Sequence, residues 1–287
     1  MEIPKIGFIG FGEVGKAFSK VMRENGANVY YYDIVEKKQE KDIKFLTFKE
    51  LITKCDIIIS TIVTNRSIEV AKKSVRYLNN KKTYADLNST SAFVKNKIGD
   101  IIIQSGSNFI EGAILNAIDE KGANAHILVS GVAAENFTDL MNKLGLVNMK
   151  YYSKKIGDSS RVKMVRSIFS KGVECLLLEL LIAAKRVGIE QYIWNDIIDF
   201  IGKGSFEHAA KGWIGSHPLA CERRYHEVLQ VIETLEDMGI DPIMTKATSE
   251  FFNRSRIMKL DKFLNEKPKS FWEVPNYIEE NYNTLKI

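Results

Sequence analysis

Three glycines near the start of the chain, in Gly10-Phe11-Gly12-Glu13-Val14-Gly15, narrow what this sequence can become. They directly follow a short apolar stretch, Ile6-Gly7-Phe8-Ile9, that reads as a buried strand. After them, Val14, Ala17, Phe18, Val21 and Met22 fall on one face of a helix, and Gly26 stands where that helix should end. A strand, a G-x-G-x-x-G turn and a helix in this order need glycine for three different reasons. Gly10 permits the tight turn, Gly12 lets backbone approach a pyrophosphate, and Gly15 lets the helix pack close to the strand. The helix N-terminus then offers unpaired N–H groups and a positive dipole end to phosphates. The whole turn, with Phe11, Glu13 and Val14, is expected to hold a dinucleotide.

The following segments keep the same rhythm. Val29-Tyr30-Tyr31-Tyr32, Ile57-Ile58-Ile59, Tyr84-Ala85-Asp86-Leu87, Phe109-Ile110 and His126-Ile127-Leu128-Val129 read as further strands, separated by helical patterns. Strands joined through helices imply right-handed crossovers and a parallel sheet. Their continuous apolar character implies that both sheet faces are covered. The pattern changes near residue 155. Asp158 to about Val187 reads as one long helix, followed by helices broken at Gly188, Gly202-Lys203-Gly204, Gly212 to Pro218, Gly239 to Pro242 and Pro268. The expected fold is α/β: a Rossmann-type doubly wound parallel sheet over 1–155, then an all-helical substrate and dimerisation domain over 156–287.

Asp33 ends the second strand, 18 residues after Gly15, where an acid can bind ribose hydroxyls and repel the 2′-phosphate of NADP. NAD is therefore the expected cofactor, with Lys37 and Lys38 keeping NADP open. Thr61 and Val63, past the third strand, and Asn88, past the fourth, are assigned to the same site.

Composition excludes several other classes. Lys plus Arg is 41 and Asp plus Glu is 36, a net charge of +5 spread along the chain, which does not suit nucleic acid. The most apolar stretch, Ile168 to Arg186, is interrupted by Lys171, Glu174 and Glu179 and does not suit a bilayer. The N-terminus lacks the features of a signal peptide. Cys55, Cys175 and Cys221 have no close spacing, so neither disulfides nor a metal knuckle are implied, and a reducing cytoplasm is expected. His208, His217 and His226 are nine residues apart and would not share a helix face, so a zinc site is not expected.

With a dinucleotide half in front and a long helix behind it, the chain resembles the 3-hydroxyacid dehydrogenase superfamily, which includes 3-hydroxyisobutyrate and 6-phosphogluconate dehydrogenases. The likeness covers nearly the whole chain. It rests on the glycine fingerprint, the loop Asp86-Leu87-Asn88-Ser89-Thr90-Ser91, and the stretch Gly157 to Ser167, whose spacing to Lys163 fits the family's lysine motif. Lys163 to Glu174, and Arg223 to Glu227 ahead of Glu233-Thr234-Leu235, resemble a subgroup of NAD-binding phosphogluconate-dehydrogenase-like proteins with a poorly characterised C-terminal domain. The resemblance implies a catalytic role for Lys163 and a homodimer. Three departures bear on the substrate: Ser159 replaces a glycine, Ser167 an asparagine, and Leu115 a serine of the family's substrate loop.

The chemistry implied is hydride transfer between nicotinamide and a small hydroxylated, anionic substrate, with Lys163 as general acid/base. If the substrate is a 3-hydroxy acid, oxidation gives a β-keto acid, which loses carbon dioxide readily. Arg161, Arg166 and Lys171 neighbour Lys163 in sequence; if any is close in space, like charge favours the neutral amine. The alternative is a solvated cationic helix face. Ser167, one turn after Lys163, either positions substrate or bonds its own backbone. Ser89 and Thr90 sit where parallel sheets bind ligands, yet Ser89, Thr90 or Ser91 would also cap the next helix. Leu115, Asn116 and Arg166 are assigned to the substrate. Arg223 and Arg224 suit a carboxylate or phosphate, or ion pairs with Glu222 or Glu227. Trp194, Trp213 and Phe206 suit a helical core. Two rival readings are another reductase chemistry, such as imine reduction, and a non-enzymatic NAD(H)-binding sensor.

Overall fold

The structure, a computed structural model, describes residues 4–35, 43–202, 205–263 and 268–281. Two compact units divide at Ile168/Phe169, within one long helix.

The first unit runs β1 (Lys5–Ile9), α1 (Glu13–Glu24), β2 (Asn28–Tyr32), β3 (Lys44–Phe45), α2 (Phe48–Lys54), β4 (Ile57–Ser60), α3 (Ser67–Ser74), β5 (Thr83–Asp86), α4 (Ala92–Ile103), β6 (Asn108–Ile114), α5 (Ile118–Lys121), β7 (Ile127–Ser130), α6 (Ala134–Lys143), β8 (Met149–Ser153) and the start of α7 (Asp158–Arg186). The strands form one sheet in the order β3-β2-β1-β4-β5-β6-β7-β8. β1 lies between β2 and β4, with Ile6 opposite both Val29 and Ile57. That is where the winding direction reverses, and the crevice beyond the carboxyl ends of these strands is the place for a ligand.

Every strand pair is parallel except β6–β7, where Glu111 pairs with Ser130 and Ile114 with Ile127. The all-parallel expectation is corrected there. The short α5 segment reverses the chain, so no crossover brings β7 round to run with β6. The strands alternate their burial between two cores, as a sheet covered on both faces requires. Ile6 and Phe8 enter one with Phe18 and Met22 of α1; Ile9 and Ile58 enter the other with Ile98 and Ile102 of α4. Truncating a side chain such as Phe18 to alanine costs about 3–5 kcal/mol.

The second unit contains the rest of α7, then α8 (Glu190–Gly202), α9 (Phe206–Asp237), α10 (Ile243–Ile257), α11 (Leu260–Phe263) and α12 (Glu273–Glu280). Its described residues include no strand. The expected break at Gly212 to Pro218 does not occur, because α9 runs through the buried Pro218. Proline removes one helical donor, but side chains support the carbonyls of the preceding turn. Ser216 Oγ donates to Gly212 O at 2.7 Å, and Arg224 Nη1 donates to Trp213 O at 3.3 Å. Pro242 cannot cap α10 with its side chain, and Glu179 of α7 does so by accepting Met244 N–H at 2.7 Å and Thr245 N–H at 3.0 Å. Trp194, Trp213 and Phe206, expected to suit a helical core, are 41–45% exposed, and Trp213 stacks on Phe200.

Candidate active site

The glycine turn opens onto a cavity of about 780 Å³ whose lining includes Gly10, Gly12, Asp33, Thr61, Val63 and Arg66. Five residues separated in sequence and assigned to a dinucleotide thus share one cavity wall. Gly10 has φ +91°, and a Cβ there would lie 2.5 Å from Thr61 O. At Gly15 a Cβ would lie 2.6 Å from Gly10 O. Those two glycines answer to the protein itself. Gly12 does not: a Cβ there would meet nothing within 4 Å, and no side chain caps the N-terminus of α1 behind it. The space in front of Gly12 is open cavity, and a helix N-terminus without a side-chain cap suits a phosphate.

The other members of the turn hold the cavity's shape. Phe11 is buried and stacks on Tyr31, with ring centroids 4.0 Å apart. Val14 packs against the core, while Glu13 is exposed. Asp33 Oδ2 accepts the Phe11 N–H at 2.8 Å, which ties the end of β2 to the turn. Thr61 Oγ1 donates to Gly10 O at 2.8 Å. Lys37 and Lys38 lie outside the described residues.

A buried polar chain starts at the cavity wall. Asn88 Oδ1 accepts the Ile62 N–H at 2.7 Å, and Asn88 Nδ2 donates to Asp86 Oδ2 at 2.8 Å and to Ser60 Oγ at 3.0 Å. The Asn88 amide is therefore committed to protein partners. Asp86 Oδ1 in turn accepts Lys95 Nζ at 2.5 Å, with both side chains fully buried. Lys95 also donates to Asp86 O at 2.8 Å and Gly112 O at 3.2 Å. Beside Gly112, the buried Glu111 anchors α7. Its Oε1 accepts the N–H groups of Gly157 at 3.0 Å and Ser159 at 2.9 Å, and its Oε2 accepts Ser160 Oγ at 2.5 Å.

Lys163 follows on α7, partly buried. Burial, and after it the charge of Lys95, holds its ammonium below the ordinary lysine value. The expected neighbours play no such part. Arg161 pairs with Asp158, Arg166 donates to the Leu115 carbonyl, and Lys171 lies 3.9 Å from Glu174. The sequence reading missed Lys95 and Glu111. The available signal for Lys95 was a lysine in the buried stripe Lys95, Ile98, Gly99 and Ile102 of α4.

The remaining assigned residues separate. Ser91 caps α4 by accepting Val94 N–H at 3.4 Å, leaving Ser89 exposed. Thr90 is buried, and its hydroxyl has no hydrogen-bond partner among the described residues. Leu115, Asn116 and Arg166 come together: Asn116 Oδ1 accepts His126 N–H at 2.9 Å beside the Arg166 contact to Leu115. Ser167 Oγ donates to Lys163 O at 2.8 Å, so its proton is committed to its own helix. In the second unit, Arg223 pairs with Glu227. No group of three or more His, Cys, Asp or Glu side chains among the described residues could hold a metal ion. Among the same residues no helix is long and apolar enough to cross a membrane.

Residues 2–95 match the family described as D-isomer specific 2-hydroxyacid dehydrogenase, NAD binding domain. The glycine turn and its cavity lie within the residues that match this NAD-binding domain, and the fold around them is of Rossmann type. The whole architecture is 3-hydroxyacid dehydrogenase-like. An uncharacterized 28.5 kDa protein of Methanothermus fervidus is 29% identical over 257 residues, 86% of this chain and 97% of that protein. The glyoxylate/succinic semialdehyde reductase 1 of Arabidopsis thaliana is 22% identical over 89% of this chain and 94% of its own length. An NADPH-dependent reductive aminase of Aspergillus oryzae is 26% identical over 54% of this chain, and the match spans 55% of that enzyme.

Among solved structures, a conserved protein described as structurally similar to 3-hydroxyacid dehydrogenases is 28% identical, with TM-score 0.57, covering 89% of this chain and 98% of that one. The imine reductase of Myxococcus stipitatus, in complex with NADP+, shares the fold at TM-score 0.76 and 18% identity, covering 91% of this chain and all of that one. The relatives with named activities are oxidoreductases.

Proposed function

We propose that the chain is an NAD-dependent oxidoreductase acting on a small substrate that carries a carboxylate and a hydroxyl or carbonyl group. Bound nicotinamide supplies the hydride acceptor or donor. Gly10, Gly12 and Gly15 shape the turn that presents the N-terminus of α1 to its phosphates, and Asp33 meets the adenosine ribose. Lys163 would take the proton of the substrate hydroxyl as the carbinol carbon is oxidised. In the reverse direction its ammonium returns that proton to the carbonyl oxygen. Thr90 offers a buried hydroxyl to the substrate, and the Leu115–Asn116 loop, braced by Arg166, shapes its pocket. Ser167 retains its oxygen as an acceptor. The observation that carries this reading is the Lys163 amine, partly buried and biased toward its neutral form.

The reductase of Arabidopsis thaliana acts, by its name, on small aldehyde acids. We therefore favour an aldehyde acid and its hydroxy acid as the substrate pair. Nicotinamide absorbance with NAD or NADP, against 3-hydroxy acids, sugar acids, their phosphates and small aldehyde acids, tests it. Turnover that disappears in Lys163→Met while NADH affinity is kept supports the reading, and full turnover in that variant overturns it.

The reductive aminase of Aspergillus oryzae favours a second reading, reduction of a C=N bond. Retention of Lys163 argues for the oxygen substrate. Turnover of a cyclic imine, but of no hydroxy acid or aldehyde acid, would reverse the choice.

A further inference from the structure

We propose that Glu69 is a second determinant of cofactor choice: it engages Arg66 and Lys73 on the wall of the dinucleotide cavity and so withholds both cations from the 2′-phosphate of NADPH. The inference deepens the reading of this cavity as the cofactor site and rests on it.

Helical spacing brings the three residues together. Arg66 ends the turn before α3, and Glu69 and Lys73 stand on α3. Glu69 therefore has one cation three residues before it and another four residues after it, spacings that share a helix face. Arg66 Nη1 donates to Glu69 Oε2 at 2.9 Å, and Lys73 Nζ donates to Glu69 Oε1 at 2.9 Å. Each carboxylate oxygen thus holds one cation. Lys73 first, and then Arg66, keep the Glu69 carboxyl below its ordinary value, so it stays ionised.

On a solvated helix face such a triad would be ordinary, but this one lines the cavity together with Asp33. Tyr32, the residue before Asp33, and Val70, the residue after Glu69, line it too, and both pack on the same core as Phe48 and Ile62. The two carboxylates flank one apolar surface. In the described lining, Asp33 and Glu69 cancel the charges of Arg66 and Lys73. NADPH would bring a strongly negative phosphate into this balance. Arg66 offers a planar fork and Lys73 a point charge that suit a phosphate. Exposed ion pairs hold weakly, so both cations would turn to it at small cost. Glu69 would then be left charged and unpaired beside the phosphate, and that repulsion sets the choice.

Fluorescence titration with NADH and NADPH tests this on wild type, Glu69→Gln and the triple variant Glu69→Gln/Arg66→Met/Lys73→Met. In Glu69→Gln, NADPH should tighten relative to NADH by about tenfold, the size of one charge contact near a protein surface. The gain should shrink as salt rises, which a change in folding would not do. It should disappear in the triple variant, where no freed cation remains. All three side chains are exposed, so the substitutions leave the core intact, and thermal melts check that. An unchanged NADPH-to-NADH ratio in Glu69→Gln overturns the inference, as does a gain that survives the loss of both cations. Failure of the cofactor reading shows differently: neither dinucleotide binds the wild-type protein, and the inference falls with it.

Discussion

Glu111 and Ser159 meet at 2.9 Å, carboxylate oxygen to backbone N–H, and the contact fixes where α7 begins. The first turn of a helix leaves donors without partners and carries the positive end of its dipole. Here a fully buried carboxylate on β6 collects them, so Lys163 inherits its place from a residue 52 positions earlier in the chain. Glu111→Gln turns one of the two acceptors into a donor that faces other donors. It should cost about 3 kcal/mol of stability. Urea unfolding checks this, and NADH affinity should hold because Glu111 does not line the cofactor cavity. An unchanged unfolding midpoint would remove Glu111 as the anchor.

Gly10 and Gly12 are two residues apart and answer to different neighbours. A methyl group at Gly10 collides with Thr61 O, while one at Gly12 enters open cavity. Gly12→Ala should leave stability within about 1 kcal/mol of wild type. It should weaken NADH binding by at least about tenfold, or 1.4 kcal/mol. Gly10→Ala should unfold more easily as well as bind less. Fluorescence titration with NADH beside thermal melts separates the two. Equal loss of stability at both positions would mean that Gly12 serves the fold alone.

The glycine turn, β1, β2, β4, β5 and the length of α7 were legible because each rests on local chemistry: glycines at fixed offsets, continuous apolar runs, a 3.6 period. β8 was not, because an edge strand alternates buried Met149 and exposed Lys150 and lacks the run of a central strand. β3 is two residues long. The antiparallel β6–β7 pair depends on how a short segment reverses the chain, which no spacing announces. Lys95 and Asp86 are nine residues apart in an ordinary mix of charges, and only the packed fold shows that neither reaches water. The helix through Pro218 is supported by Arg224, whose side chain reaches back three turns to the Trp213 carbonyl.

Asp33 carries two duties that a single substitution can separate. Its carboxylate accepts the Phe11 N–H, and the residue lines the cavity, where its charge is proposed to meet a ribose. Asp33→Asn keeps an oxygen acceptor for Phe11 and removes the charge. NADPH affinity should rise relative to NADH by about tenfold, or 1.4 kcal/mol, with little change in melting temperature. Asp33→Ser should lose the Phe11 contact too and weaken both dinucleotides. A wild-type protein that already prefers NADPH would show that Asp33 does not set the choice.

The second unit exposes many large apolar side chains. Leu176 and Ile182 of α7, Tyr192 and Phe200 of α8, and Trp213 of α9 are each 45–71% exposed. A helix apolar on more than one face calls for burial on more than one face. We expect a second copy of the chain to cover this surface. Light scattering after size exclusion should give twice 32.6 kDa at micromolar concentration, and Leu176→Asp should shift it toward monomer. A monomer that stays soluble at those concentrations would show that the surface needs no partner copy.

Lys163 also predicts how stability depends on pH. Its lowered folded value means that, between that value and ordinary lysine, the unfolded chain binds more protons than the folded one. Stability should therefore rise with pH across this window, and the cost of holding the ammonium is present in full below it. Lys163→Met removes that cost. It should be at least as stable as wild type at neutral pH, with the gap closing as pH climbs toward the ordinary lysine range. Turnover should show the same titration with opposite signs. Oxidation, which needs the neutral amine, should rise with pH, and reduction, which needs the ammonium, should fall. Urea unfolding at neutral and alkaline pH, beside rates in both directions, makes the comparison. A gap that widens with pH, or two rate profiles sloping the same way, would mean that Lys163 is not the titrating group.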